Sequence, residues 1–346
     1  MDVEAYQPTS TLVVPEHVLT RARFPFIDVH GHQRGARSQE QVDQLVSEMD
    51  ELNMAVMVNL SGGTGAQLIE NREGLQREGY ENRFVVFANL DFDGIDDPEW
   101  GTRAAAQLER DVKEGGAVGL KIFKNLGMDL QDGSGRRIPT DDPRFDPVWS
   151  KAGELGIPVL IHTGEPKSFF DPVDEHNERW LELVQFPNRA RPAGEYPSWE
   201  DLMAEQHNVF RKHPNTNFIN AHLGWMGNDL GRLGKLLDEL PNMYVELGAV
   251  IYEIGRQPRF AHQFFENYQD RIMMGKDSYA KEEYWTYFRI FESEDEYFNY
   301  YRRRHAFWQM YGMGLPDPIL RKIYYENALR VIPGIDEGLF GRTESP

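Results

Sequence analysis

Short apolar runs rich in β-branched and aromatic residues recur along the chain, and segments with helical spacing lie between them. The runs cover residues 26–30, 55–60, 84–90, 118–123, 158–162, 217–222, 243–247 and 272–275. Amphipathic stretches at 39–52, 102–114, 149–155, 201–212, 230–240 and 260–268 separate many of them. Eight strands alternating with helices over ~250 residues is the count of a (β/α)8 barrel. A doubly wound open sheet commonly has fewer strands and a glycine-rich phosphate turn after the first. Here the first run leads instead into Asp28-Val29-His30-Gly31-His32. The pattern predicts an α/β protein, a TIM barrel over about 24–332 inside a single domain 1–346 with terminal extensions.

Two segments exceed what a bare barrel needs. Residues 163–205, after the fifth strand, are rich in Pro, Trp and charge. Residues 279–311, after the eighth, are dense in Tyr, Phe and Trp and end near Arg302-Arg303-Arg304. Elaborated loops after strands 5 and 8 would sit over the C-terminal face, where barrel active sites lie. An extra helical pair on the outside, or a contact between copies in a homo-oligomer, is the competing reading.

Composition narrows the function classes. Among 346 residues, 56 Asp and Glu oppose 37 Lys and Arg, a formal net charge of −19. That charge repels nucleic-acid phosphates and anionic lipid, which leaves a small molecule as the expected partner. With no cysteine, disulfides, thiolate metal sites and thiol nucleophiles are all excluded. The first 21 residues carry Asp2 and Glu4 and no apolar core of a signal peptide, and no run approaches the ~20 residues of a membrane span. The chain as it stands reads as cytoplasmic; a processed periplasmic form stays open.

The chemistry lies in the placement of polar residues at strand ends. His30 and His32 close the first run, His162 the fifth and His222 the sixth, and Asp277 follows the eighth. Residues i and i+2 of a strand point to one side, so His30 and His32 can face a common point. Imidazole and carboxylate suit zinc and neighbouring divalent ions. A lone histidine is more often structural, but four histidines and an aspartate at strand ends have a metal site as their simplest explanation. His17, His176, His207, His213, His262 and His305 fall in helical or loop segments and are expected to be solvated or structural.

The segments Ile27-Asp28-Val29-His30-Gly31-His32, Val159-Leu160-Ile161-His162-Thr163, Asn220-Ala221-His222-Leu223-Gly224 and Gly275-Lys276-Asp277-Ser278 resemble the amidohydrolase superfamily. Within it they are similar to the amidohydrolase-related (amidohydrolase 2) branch, which includes decarboxylases of the aminocarboxymuconate semialdehyde type. The resemblance implies His30, His32, His162 and Asp277 as ligands of a divalent metal, usually zinc, with one ion favoured, two allowed and manganese open. It implies His222 as a second-metal ligand or as a group polarising substrate or water.

Lys121, inside the fourth strand, sits where the two-metal members carry a carbamylated lysine. It is a metal ligand only if carbamylated; otherwise it binds a substrate carboxylate or pairs with an acid such as Glu246. Lys276 replaces the small residue usual before the final aspartate, and strand alternation directs it away from the metal toward an acid between barrel and helices. Substrate-binding candidates at strand ends are Arg34, Lys121, Lys124, Glu165, Trp225 and Tyr279, with Asn125 and Glu246 nearby.

The reading this supports first is a hydrolase in which a metal-activated water cleaves a C–O or C–N bond (amide, lactone or ester) of a small polar, plausibly anionic metabolite. Asp277 and His222 are its catalytic residues, Asp277 moving the proton and His222 orienting the nucleophile. The first alternative is a non-oxidative decarboxylase of a small aromatic or enoic acid. The second is a ligand-binding barrel that has lost catalysis.

Overall fold

The computed structural model describes residues 1–35, 37–305 and 307–341; Ala36, Ala306 and the end of the C-terminal extension, 342–346, lie outside the described residues. Eight parallel strands form the barrel: β1 (Phe26–Gly31), β2 (Met54–Asn59), β3 (Phe84–Val86, resumed as Ala88–Asn89), β4 (Leu120–Ile122), β5 (Val159–Ile161), β6 (Phe218–Asn220), β7 (Met243–Glu246) and β8 (Ile272–Met273). The ring closes between β8 and β1. There Val29 N–H donates to the Met274 carbonyl (3.0 Å) and Asp277 N–H to the His30 carbonyl (2.8 Å).

At the break in β3, Phe87 N–H still reaches Asn59 (3.0 Å) while Ala88 N–H turns to Gly119 (2.8 Å). The Phe87 ring lies so close to Gly119 that a Cβ there would sit 2.4 Å from it, so this position takes no side chain. The strands are buried on both faces, which is why they read as continuous Val, Ile, Leu, Phe and Met rather than as an alternation. Their exceptions are informative: Asp28, His30, Asn59, Lys121, Asn220 and Glu246 are all buried polar residues on strands.

Local signals set the helices. Ser38 begins the helix Gln39–Leu52 with a reciprocal capping box to Gln41, and Val42, Leu45, Val46, Met49 and Leu52 bury one stripe against the barrel. Each such apolar side chain contributes about 1.5–3 kcal/mol on burial, so the stripe outweighs the cap (about 1 kcal/mol). No helix among the described residues is long and apolar enough to cross a membrane.

The two elaborated segments meet. The first carries a short helix, Trp180–Gln185, and leads into the helix Trp199–Lys212; the second carries the helix Lys281–Glu292 and a hairpin, Phe298–Asn299 with Gln309–Met310. Arg179, in the first, donates to the buried Glu182 carboxylate (2.7 Å) and to His305 Nε2 (3.2 Å), in the second. Its guanidinium lies 4.9 Å from the Tyr252 ring, beyond β7, and 5.4 Å from Trp308.

Candidate metal centre

The C-terminal ends of β1, β6, β7 and β8 converge on a cluster of imidazoles and carboxylates. His32 Nε2 lies 3.6 Å and His30 Nε2 3.9 Å from Asp277 Oδ1. These three side chains offer one donor atom each within a span that a single ion fits. Each imidazole is held from behind. His30 Nδ1–H donates to Glu246 Oε1 (2.8 Å) and His32 Nδ1 meets Ser61 Oγ (2.8 Å), which leaves both Nε2 atoms for the common point.

His30, His222 and Glu246 also offer three donor atoms close together, but the Glu246 oxygens are already committed. Oε1 accepts from His30 Nδ1 (2.8 Å) and His222 N–H (2.7 Å), and Oε2 from Gly248 N–H (2.6 Å). Glu246 therefore anchors His30 and the backbone of His222 rather than offering a free donor atom.

His162 and His222 form the second half of the cluster. His222 Nδ1–H donates to the Gly248 carbonyl (2.6 Å), which leaves its Nε2 bare. His162 Nε2 faces the Gly164 carbonyl (3.2 Å), so its proton belongs there and its Nδ1 is bare as well. These two bare nitrogens stand 3.2 Å apart, an arrangement that repels unless a cation or proton lies between them. The backbone holding His222 is strained: His222, Leu223, Gly224 and Trp225 all have φ between 54° and 59°. Such a left-handed stretch costs roughly 1–2 kcal/mol per non-glycine residue, and burial of Leu223 with the two hydrogen bonds of His222 offsets it.

The electrostatics suit a cation. Burial, reinforced by Lys121, pushes His30 well below its ordinary pKa and His32 down to about 4; burial and the neighbouring His222 and Lys121 do the same to His162. All three imidazoles are neutral at physiological pH, the form in which an imidazole can bind a metal. Burial opposes charge on Asp277, but His30, His222, His32 and Lys121 outweigh it and hold the carboxyl below its usual range. Neutral imidazoles around an anionic carboxylate fit a divalent ion.

The remaining candidates divide by position. The Lys121 amine is buried without a hydrogen-bond partner, so of its three readings the direct pair with an acid such as Glu246 is not formed. Lys124 pairs with Glu165, which also accepts from Arg191 (2.9 Å). Trp225 stacks on His222, ring centroids 4.5 Å apart. Arg34 is exposed, with Nε 3.4 Å from Ser61 Oγ. Tyr279 turns to helix Gln39–Leu52, donating to Glu48 (2.9 Å), and lines a cleft of about 880 Å3 that reaches His32. Lys276 points away from the cluster to Glu283 and the Ser278 carbonyl, as strand alternation predicts. The sequence pattern offers Glu246 as a pocket residue or a partner for Lys121, not as an anchor for His30 and His222; an acid inside an apolar strand was the signal for that role.

A parallel (β/α)8 barrel with imidazoles and a carboxylate at its strand ends defines a metal-dependent TIM-barrel enzyme. More specifically, the chain belongs to the Amidohydrolase family, whose profile matches residues 27–334. No curated protein matches it in sequence. Among solved structures it is similar to a 2,6-dihydroxybenzoate decarboxylase in complex with 2,6-dihydroxybenzoate, at 15% identity over 89% of this chain and 99% of that one, TM-score 0.56. A dihydroxybenzoic acid decarboxylase from Polaromonas sp., with bound manganese and 2-nitroresorcinol, has 15% identity over 89% and 96% of the two chains, TM-score 0.56. A 4-oxalomesaconate hydratase from Rhodopseudomonas palustris has 15% identity over 89% and 95%, TM-score 0.53.

Proposed function

We propose that the protein is a metal-dependent non-oxidative decarboxylase of a small planar acid, with His30, His32 and Asp277 as ligands and His162 and His222 completing the site. The observation that carries this reading is the aromatic walling of the ligand cluster. The Phe123 ring lies 5.8 Å from His32 at an interplanar angle of 30°, and Trp225 stacks on His222 at 29°. Such walls favour an aromatic or enoic substrate. The ligands named for the two decarboxylases of like fold are aromatic rings with oxygen substituents, which supports the same choice.

A divalent ion bound there, zinc or manganese, supplies Lewis-acid polarisation of a substrate oxygen. The chain's own groups manage the proton. Asp277, an anion in the free site, accepts the proton of a substrate hydroxyl. As the bond to the carboxylate breaks, carbon dioxide leaves and the electron pair stays on the ring carbon, which takes the proton back from Asp277. His222, with Nδ1 fixed on the Gly248 carbonyl, holds its Nε2 toward the reacting face.

Hydrolysis is the second reading, because an anionic Asp277 between neutral imidazoles is equally able to take a proton from water and pass it to a leaving group. Manganese- and zinc-loaded protein assayed with hydroxybenzoates and with lactones separates the two. Carbon dioxide release without lactone opening is the expected result. Lactone or amide cleavage without carbon dioxide release refutes the decarboxylase.

A further inference from the structure

Lys121 is a buried amine whose hydrogen-bonding capacity the protein leaves unmet: burial lowers its pKa to about 8, and Glu246 and Asp277 oppose that only through space. It lies in the middle of β4, in register with Asn89 and Leu160, and is 1% exposed. Its ammonium has three donors and no hydrogen-bond acceptor among the described residues. It lies on the side of the candidate metal site, because its amine stands by the Phe123 ring that packs against His32. Two other cations near the cluster have an acid partner, since Lys124 and Arg191 share the Glu165 carboxylate, whereas the exposed Arg34 reaches only Ser61 Oγ. A buried, unpaired ammonium costs several kcal/mol and persists only where something offsets it.

The surroundings indicate what does. The Lys121 amine stands 5.5 Å from the centroid of the Phe123 ring, the same ring that lies against His32. A ligand with a flat apolar body and an anionic end meets both requirements, the ring face and the bare ammonium. A phosphate lacks the flat body, and a neutral ring leaves the ammonium bare.

We infer that Lys121 holds a carboxylate of the substrate beside the metal ligands, and so makes this site select small planar acids over their carboxylate-free counterparts. The inference rests on the metal-site reading above, and it concerns binding rather than the bond that is cleaved.

The test is calorimetric titration of wild-type, Lys121→Met and Lys121→Arg protein with 2,6-dihydroxybenzoate and with resorcinol. Each titration is run on manganese-loaded and on chelator-treated protein, with metal content measured in parallel. Wild type is expected to prefer the acid. Lys121→Met should lose roughly 10- to 100-fold in affinity for the acid, the worth of one charge-assisted contact, with resorcinol binding and metal content unchanged. Lys121→Arg should restore part of the loss. Equal affinity of wild type for acid and resorcinol overturns the inference, as does undiminished acid binding by Lys121→Met. So does a bicarbonate-dependent second metal ion that vanishes in Lys121→Met, which would make the residue a carbamate ligand. Failure of wild type to take up any metal refutes the metal-site reading instead, and the titrations of chelator-treated protein then decide Lys121 on their own.

Discussion

Glu246→Gln isolates the anchoring of the metal ligands from the ligands themselves. The carboxylate is fully buried and accepts three hydrogen bonds, from His30 Nδ1, His222 N–H and Gly248 N–H. A glutamine keeps one acceptor oxygen and adds two donors. With its oxygen toward His30 and His222, its amide nitrogen faces Gly248 N–H, donor against donor; reversed, it abandons both of the other partners. The milder outcome loses one charge-assisted bond (about 1.5–3 kcal/mol) and orphans buried donors (about 1–3 kcal/mol), so roughly 3–5 kcal/mol of stability should go.

The metal should report the change more specifically. If His30 rotates its proton to Nε2 so that Nδ1 can accept from the new amide, the nitrogen aimed at Asp277 is no longer a ligand. Loss of such an outer partner typically weakens metal binding about 10- to 100-fold. Chelator competition gives the metal affinity, and urea unfolding of metal-free protein gives the stability. Glu165→Gln is the control, a similarly buried acid that touches Lys124 and Arg191 but no metal ligand. Metal affinity unchanged in Glu246→Gln, or reduced equally in both variants, refutes the anchoring argument.

Asp277→Asn should keep the fold by circular dichroism and lower turnover by two or more orders of magnitude, in line with loss of a general acid–base group; unchanged turnover removes Asp277 from the chemistry. Arg179→Met leaves the buried Glu182 without its closest partner and should cost about 3 kcal/mol, partly relieved by Arg189 and Arg304, with faster proteolysis within 163–205 as the readout. His207 is buried, its Nε2 has no partner, and burial lowers its pKa from 6.5 to about 4. The unfolded chain therefore takes up this proton first as pH falls, so stability should drop between pH 6.5 and 4 by up to about 3 kcal/mol. Urea titrations should show that share of the acid sensitivity missing in His207→Leu.

The strand ends were legible because their chemistry contrasts with their surroundings. His30 and His32 stand two apart after an apolar run, and Asp277 sits beside a lysine that alternation sends to the other side. What local pattern does not encode is how distant segments meet. The bond from His30 to Glu246 spans 216 residues, and nothing near either position announces it. Tyr279 reads as a pocket residue from its place after Asp277, yet Asp277 has φ of 79° and Tyr279 ends on Glu48 of the first long helix. The break in β3 is likewise tertiary, because it depends on the Phe87 ring lying against Gly119. The left-handed turn from His222 to Trp225 contradicts local preference at three non-glycine positions, so only the contacts that hold it could reveal it.

The overall charge and the local charge point in opposite directions, and distance decides between them. A net −19 suggests a protein that repels acids. At physiological salt, however, exposed charges more than about 8 Å away are largely screened, whereas buried ones are not. Within the site, Lys121 is buried without a counter-ion, and Lys124 and Arg191 together face the single carboxylate of Glu165. Asp277 and Glu246 supply the opposing charge, but Glu246 is bound by three donors, and Asp277 offers its carboxylate to the same point as His30 and His32. With a divalent ion in place the centre is cationic. An acid that arrives there meets this short-range field rather than the acidic exterior, so its binding should depend far less on ionic strength than a surface contact would.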